Sequence, residues 1–109
     1  MILNTIEDLQ KYFKGVKERA NHHAGNVNNI IYPLLSFVIL YSSYINAREY
    51  KGELANIVKV NIKKKDLCIM YEHETGNIII KEKNHKGTPL KSFNNKSTIE
   101  DIKDFFNKI

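Results

Sequence analysis

Two rhythms of apolar and polar residues divide the chain near Tyr44. Before that point apolar residues recur every three or four positions, and after it they mostly alternate at every second position. The first spacing is typical of an amphipathic helix and the second of a strand with one buried face. The pattern predicts helices first, an antiparallel sheet next and a helix at the end, which is an α+β fold in a single domain over residues 1–109.

The helical stripe covers residues 6–38 and begins with a T-x-x-D capping pattern at Thr5. Inside a helix glycine costs about 1 kcal/mol relative to alanine and proline about 3 kcal/mol. The stripe contains three such residues, Gly15, Gly25 and Pro33. We therefore expect two or three helical pieces, packed as a hairpin or a kinked rod. Residues 36–42 fit either a helix or a buried strand, and the continuing period slightly favours the helix.

Strand candidates separated by turn residues follow, at residues 45–50, 54–62, 67–73, 77–82 and 88–93. Their short connections, the first of them a turn at residues 51–53, favour an antiparallel meander of four to five strands. Pro89 indicates an edge strand or a strand start. A capping box formed by Ser97 and Glu100 then starts a last helix, which should pack its apolar stripe on the sheet.

Residues 20–47 contain no Lys, Arg, Asp or Glu, although 27% of the chain is charged. The apolar part of this segment is shorter than the roughly 20 residues that a membrane span needs, and it contains Pro33. We interpret it as a core segment and expect no membrane association. The single cysteine, Cys68, excludes an internal disulfide, and no signal peptide is recognisable, so a cytoplasmic location is expected.

The net charge of +5 is concentrated in the middle of the chain. Residues 59–96 contain nine lysines and four acidic residues. This block could bind nucleic acid or another anion, or it could reflect a composition rich in Lys, Asn and Ile. On the nucleic-acid hypothesis the binding residues are Lys59, Lys63, Lys64, Lys65, Lys81 and Lys83.

No catalytic motif is recognisable, and we predict neither a cofactor nor a metal site. His22 and His23 are adjacent, so on a helix they point about 100° apart and cannot share a metal ion well. A metal-free, histidine-dependent nuclease is an alternative that requires the fold to bring together two of His22, His73 and His85. The chain is therefore not expected to be an enzyme, although this alternative stays open.

Other residues are suited to binding a partner. His22, Asn26 and Asn29 are predicted to lie on one helical face, where they could bind a partner, bond to the turns around Gly25 or face water. Tyr41, Tyr44 and Tyr50 lie where the helices give way to the sheet. The strands also have apolar residues on both faces, since Cys68, Met70 and Ile79 lie opposite the predicted core face. The helices do not account for both faces, so a homodimer is predicted.

Three stretches resemble small proteins encoded in integron gene cassettes and similar mobile elements, namely residues 19–28, 56–60 and 71–76. The likeness covers roughly residues 16–106 and implies a compact single-domain accessory protein, without implying any catalytic residue. The favoured hypothesis is a non-enzymatic, protein-binding accessory module that self-associates. The alternatives are the nucleic-acid-binding protein and the nuclease.

Overall fold

The computed structural model of the chain describes residues 1–50 and 53–109, with side chains described for residues 1–48 and 57–109. The elements in chain order are α1 (Ile6–His23), α2 (Ile31–Tyr41), β1 (Ser42–Tyr50), β2 (Glu53–Ile62), β3 (Lys65–Glu72), β4 (Asn77–Glu82), β5 (Pro89–Phe93) and α3 (Ile99–Lys108). The strands form an antiparallel meander in the order β1-β2-β3-β4-β5. The α+β prediction is thus confirmed. Of the predicted turn at residues 51–53, residues 51 and 52 lie outside the described residues, and Glu53 begins β2.

Only one of the three helix-breaking residues lies where the helical stripe is interrupted. Gly15 lies inside α1, Gly25 lies in the connection between α1 and α2, and Pro33 lies in the first turn of α2. Proline is tolerated in a first helical turn because the N–H groups there have no intrahelical acceptor. The stripe therefore forms two helices, and the open choice for residues 36–42 resolves as helix as far as Tyr41, with Ser42 starting β1.

The observed caps differ by one residue from the prediction at α3. Thr5 caps α1 as expected, and its side chain accepts a hydrogen bond from the Asp8 N–H. At α3, however, Thr98 and Asp101 form the capping box, so the prediction of Ser97 and Glu100 is wrong. Ser97 Oγ instead accepts the Asn94 N–H at 3.0 Å and closes the turn before the helix.

The two edge strands of the sheet have different surroundings. A short stretch containing Ile2 pairs with Asn46 and so covers the outer edge of β1. The opposite edge is β5, which begins at Pro89 as the sequence predicted.

The turn between β2 and β3 consists of Lys63 and Lys64, both with positive φ, which is the type I′ geometry that glycine and asparagine usually adopt.

The core lies between the helices and one face of the sheet. Cross-strand neighbours such as Val58, Ile69 and Ile80 contribute to this face. From α3, Phe105 packs edge to face against Phe93, and Phe106 stacks on Tyr41 with ring centroids 5.5 Å apart. The opposite face, which we call the open face, contains Cys68 and Ile79; both are buried but lie outside the core cluster.

Candidate functional site

A cavity of about 310 Å³ lies between the helices and the sheet. Its helical wall is built by α1, by the connection after α1 and by the start of α2; its sheet wall comes from β2, β3 and β4. The small side chains of Ala20 and Ala24 face this space, and their size leaves it unfilled. The volume falls at the lower end of small-molecule pockets, which measure about 300–1,000 Å³. The apolar side chains that line the cavity include Val16, Val27, Ile31, Leu34, Val58 and Ile69.

Except for the buried Tyr12, the polar side chains of the cavity lie towards its opening. Of the lining residues, His23 and His73 are exposed to solvent, whereas Arg19 and Tyr71 are partly buried. The Tyr71 and His73 rings meet edge to face with centroids 4.9 Å apart. A largely apolar interior with a few polar groups at its entrance is typical of a ligand site.

Tyr12 and Arg19 are coupled electrostatically within this wall. Burial raises the pKa of Tyr12 to about 12, and the nearby Arg19 guanidinium opposes that shift. A Cβ at Gly15 would lie 3.5 Å from Arg19 Nη1, so the arginine folds back over the preceding turn of α1. The Tyr12 hydroxyl is therefore a neutral hydrogen-bond donor at neutral pH.

Asn95, from the loop before α3, holds the helical wall in place. Its Oδ1 accepts the backbone N–H groups of Asn29 and Ile30, each at 3.0 Å, and its Nδ2 donates to Gly25 O and Asn28 Oδ1. The N-cap residue of α2, Ile30, makes no side-chain cap of its own. Asn95 thus caps α2 from a distant part of the chain and fixes the connection that borders the cavity.

The predicted polar face of His22, Asn26 and Asn29 does not form, because α1 ends at His23 and the following residues turn. All three residues are exposed, and the two asparagines hold the connection: Asn26 O accepts the Asn95 N–H at 2.6 Å. His22 is not among the residues that line the cavity, whereas its neighbour His23 is. A binding role for the three residues stays a prediction.

The predicted tyrosine group is divided between the two sides of the sheet. Tyr41 stacks on Phe106 beside the core, whereas Tyr44 pairs across the strands with Asn61 on the open face and is 42% exposed. The side chain of Tyr50 lies outside the described residues. A binding role for this group also stays a prediction.

The predicted lysines are only partly brought together. Lys59, Cys68 and Lys81 form one cross-strand row on the open face. Burial raises the pKa of the Cys68 thiol, and the charges of Lys59 and Lys81 oppose the shift, which indicates that both ammonium groups lie near the sulfur. Lys63 lies on the other side, where its ammonium donates to Phe106 O and faces the Tyr41 ring. The remaining three, Lys64, Lys65 and Lys83, belong to one end of the sheet.

The histidines named for a nuclease are not joined by the cavity. His73 lines it, whereas His85 lies between β4 and β5 at the opposite end of the sheet, and His22 is outside the lining. His23, which was not named for that role, lines the cavity with His73. Over the part of the chain that the structure describes, no group of three or more His, Cys, Asp or Glu residues could hold a metal ion.

Sequence reasoning missed the cavity and Asn95. The uncharged segment indicated where the core lies, and Ala20 and Ala24 were visible as small residues of the helical stripe. No local signal shows that the opposing sheet leaves the space above them unfilled.

Among the described helices, none is both long and apolar enough to cross a membrane.

Comparison with known proteins relates the chain to one family. Residues 9–103 match the model of the family described as the integron cassette protein VCH_CASS1 chain. A search of curated proteins found no match. The resemblance inferred from the sequence is thereby confirmed over most of the chain.

Proposed function

The chain belongs to this integron cassette protein family, and on that premise we propose that it is a non-enzymatic accessory protein that binds a small, largely apolar ligand. The observation that carries the proposal is the cavity of about 310 Å³ between α1, α2 and the sheet. A void of this size removes packing contacts from the side chains around it, and an apolar ligand would restore them. The cavity opens to solvent beside His23 and His73, which gives a ligand a way in.

Binding can be tested with a neutral probe that fluoresces in apolar surroundings, 1-naphthyl-N-phenylamine. We expect saturable enhancement with one probe per chain. Ala20→Leu places extra atoms in the cavity and should weaken probe binding about tenfold or more, since it displaces ligand volume. Ser36→Leu is the matched control, because Ser36 is exposed on α2 and does not line the cavity.

The thermal midpoints of both variants should be compared first, to establish that each is folded. Probe binding that is not saturable in the wild-type protein would overturn the proposal. So would equal binding by Ala20→Leu and the wild type.

A second candidate is the binding of single-stranded nucleic acid on the open face, in line with the lysine hypothesis. The Lys59 and Lys81 row favours it, and the neighbouring Arg48 is exposed and adds its charge near Cys68. A flat sheet face with several cations suits a phosphate backbone. The test is fluorescence anisotropy of a labelled oligonucleotide at several salt concentrations.

The double variant Lys59→Gln/Lys81→Gln should weaken this binding and reduce the magnitude of its salt slope by about 1.4, since each single-strand phosphate contact contributes roughly 0.7. Lys103→Gln/Lys108→Gln on α3 removes the same charge from another part of the molecule and should have little effect. Equal losses in both double variants would contradict a defined site on the open face.

Self-association is the remaining proposal for the open face. Ile79 and Cys68 belong to this face and lie outside the core cluster that the helices cover. The cations of Lys59 and Lys81, however, would oppose the approach of an identical face. Light scattering after size exclusion decides this proposal, which requires a dimer at high concentration; a strict monomer would remove it.

A further inference from the structure

The polar groups at the opening of the cavity include a guanidinium and two imidazoles. The described lining residues include one arginine and two histidines, and none of them is an aspartate or a glutamate. The guanidinium of an arginine side chain has five N–H donors and no acceptor. An anionic group at this opening would therefore meet favourable charge without an opposing carboxylate in the described lining.

The lining of the cavity has an apolar interior and a polar part at the opening. Val16, Ala20 and Leu34 are buried and line the interior, whereas His23 and His73 are exposed. A ligand that fills the cavity would therefore have its body among aliphatic side chains and one end at the opening. The same molecule must be apolar along most of its length and polar at one end.

We propose that the ligand is a small amphiphile with a single carboxylate head, whose hydrocarbon body fills the cavity and whose head lies at Arg19, His23 and His73. This inference rests on the proposed function and specifies its ligand class. A guanidinium can bind a carboxylate through two parallel hydrogen bonds, which suits a carboxylate head at Arg19. Arg19 also has a partner within the protein, and its five N–H donors allow it to bind a carboxylate in addition.

The packing of α1 supports the position of the arginine. Arg19 Nη1 lies close to Gly15, four residues back on the helix, and Arg19 and Tyr12 both line the cavity. The end of the guanidinium thus lies over the preceding turn of α1, while the Arg19 side chain contributes to the cavity lining. The Tyr12 hydroxyl, held protonated by burial, adds a neutral donor to the same wall.

Three ligands with one eight-carbon chain test the head group: octanoate, 1-octanol and octylammonium. Each would be used to displace 1-naphthyl-N-phenylamine from the wild-type protein. We expect octanoate to bind about tenfold more tightly than octanol, since a charge-assisted hydrogen bond is roughly twice as strong as a neutral one, and octylammonium to bind most weakly.

Variants of the opening identify the groups responsible. Arg19→Gln should weaken octanoate about tenfold and should weaken the uncharged probe and octanol much less, because only the carboxylate loses a charge-assisted hydrogen bond. His73→Gln should have a smaller effect of the same kind. His22→Gln is the matched control for a neighbouring exposed histidine that does not line the cavity, and it should change nothing.

The outcomes separate the inference from the proposed function. Equal binding of octanoate and octanol by the wild-type protein would overturn the carboxylate proposal while probe binding still supported an apolar ligand. Tighter binding of octylammonium would overturn it as well. Absence of binding by the probe and all three ligands would overturn the proposed function itself. The wild-type comparison decides the head group even if Arg19→Gln does not fold.

Discussion

Gly87 and Gly15 differ in the space that surrounds their Cα atoms, although the sequence does not distinguish them. A Cβ at Gly87 would lie 1.7 Å from the backbone oxygen of Glu82, whereas a Cβ at Gly15 would make ordinary contact with the end of the Arg19 side chain. We expect Gly87→Ala to destabilise the fold by about 2 kcal/mol or more, because backbone must move. Gly15→Ala should stabilise it by about 0.5–1 kcal/mol, since alanine is the better helix former.

Chemical denaturation of the two variants under identical conditions measures both effects. Gly15→Ala is also the control for the general consequence of adding a methyl group. A destabilisation of the two variants by similar amounts would contradict the described turn between β4 and β5.

The raised pKa of Tyr12 leads us to expect that the free energy of unfolding decreases at alkaline pH. Its pKa rises from the ordinary value of 10.0 to about 12 on folding, because burial disfavours the phenolate. The contribution is fully present below pH 10 and is lost as the pH rises through 12, and two pKa units correspond to at most about 3 kcal/mol. In the folded protein, the ultraviolet absorbance of phenolate should show one of the six tyrosines titrating late.

Tyr12→Phe should remove this late step and reduce the pH dependence of unfolding between pH 10 and 12. Tyr32→Phe is the control, because Tyr32 is 45% exposed. If the late step persisted in Tyr12→Phe, the assignment to Tyr12 would be wrong.

At the scale of the elements, α2 depends on a residue from outside its own sequence. Asn95→Ala would remove the acceptor for the Asn29 and Ile30 N–H groups and the two hydrogen bonds donated to the connection. We expect a loss of about 2 kcal/mol, the upper end of measured N-cap effects. Thermal unfolding and hydrogen exchange of α2 amides would report it, and protection should fall most in the first turn of that helix.

Asn95→Asp is the informative companion variant. It keeps an oxygen acceptor for the two N–H groups but cannot donate to Gly25 O and Asn28 Oδ1, so its stability should be intermediate. Asn107→Ala, at an exposed position on α3, controls for loss of an asparagine elsewhere. Equal stability of Asn95→Ala and the wild type would mean that the cap contributes nothing.

Most elements could be predicted from the sequence because their periodicity is local. Features that depend on contacts between residues distant in the sequence could not be predicted. Alternation fixed the face of Val58 and Ile69, and the strand boundaries differ from the prediction by no more than three residues. The one-residue error at Ser97 arose because Thr98 offers the same capping chemistry one step later. Asn95 acts on residues more than 60 positions away, and the cavity depends on how Ala20 of α1 and the following Ala24 face the sheet, so neither has a sequence signature.

The end of α1 also explains why His23, and not the predicted binding residue His22, lines the cavity. His22 and His23 are adjacent residues of the same type. The i, i+4 spacing to Asn26 places His22 on a shared polar face only if the helix continues past His23. Because the chain turns after His23, the polar face is broken and His23 is the one that lines the cavity. A site at a helix terminus is hard to predict because the boundary determines which side chain faces it.

For the whole molecule, the sheet is unequal on its two faces, and the neighbours Ile79 and Ile80 allow a direct comparison. Ile80 is fully buried in the core, whereas Ile79 is buried on the open face outside that core. We expect Ile80→Ala to cost about 3 kcal/mol, because the surrounding core cannot collapse into the space, and Ile79→Ala only about 1 kcal/mol. Urea unfolding at a fixed low protein concentration measures both.

The same pair tests whether something covers the open face. If a second copy packed on Ile79, the stability lost in Ile79→Ala would increase with protein concentration, since association stabilises only the folded chain. Ile80→Ala supplies the control, because its side chain faces the helices and its loss should not depend on concentration. Equal, concentration-independent losses of about 3 kcal/mol would contradict a fold with its single core under the helices.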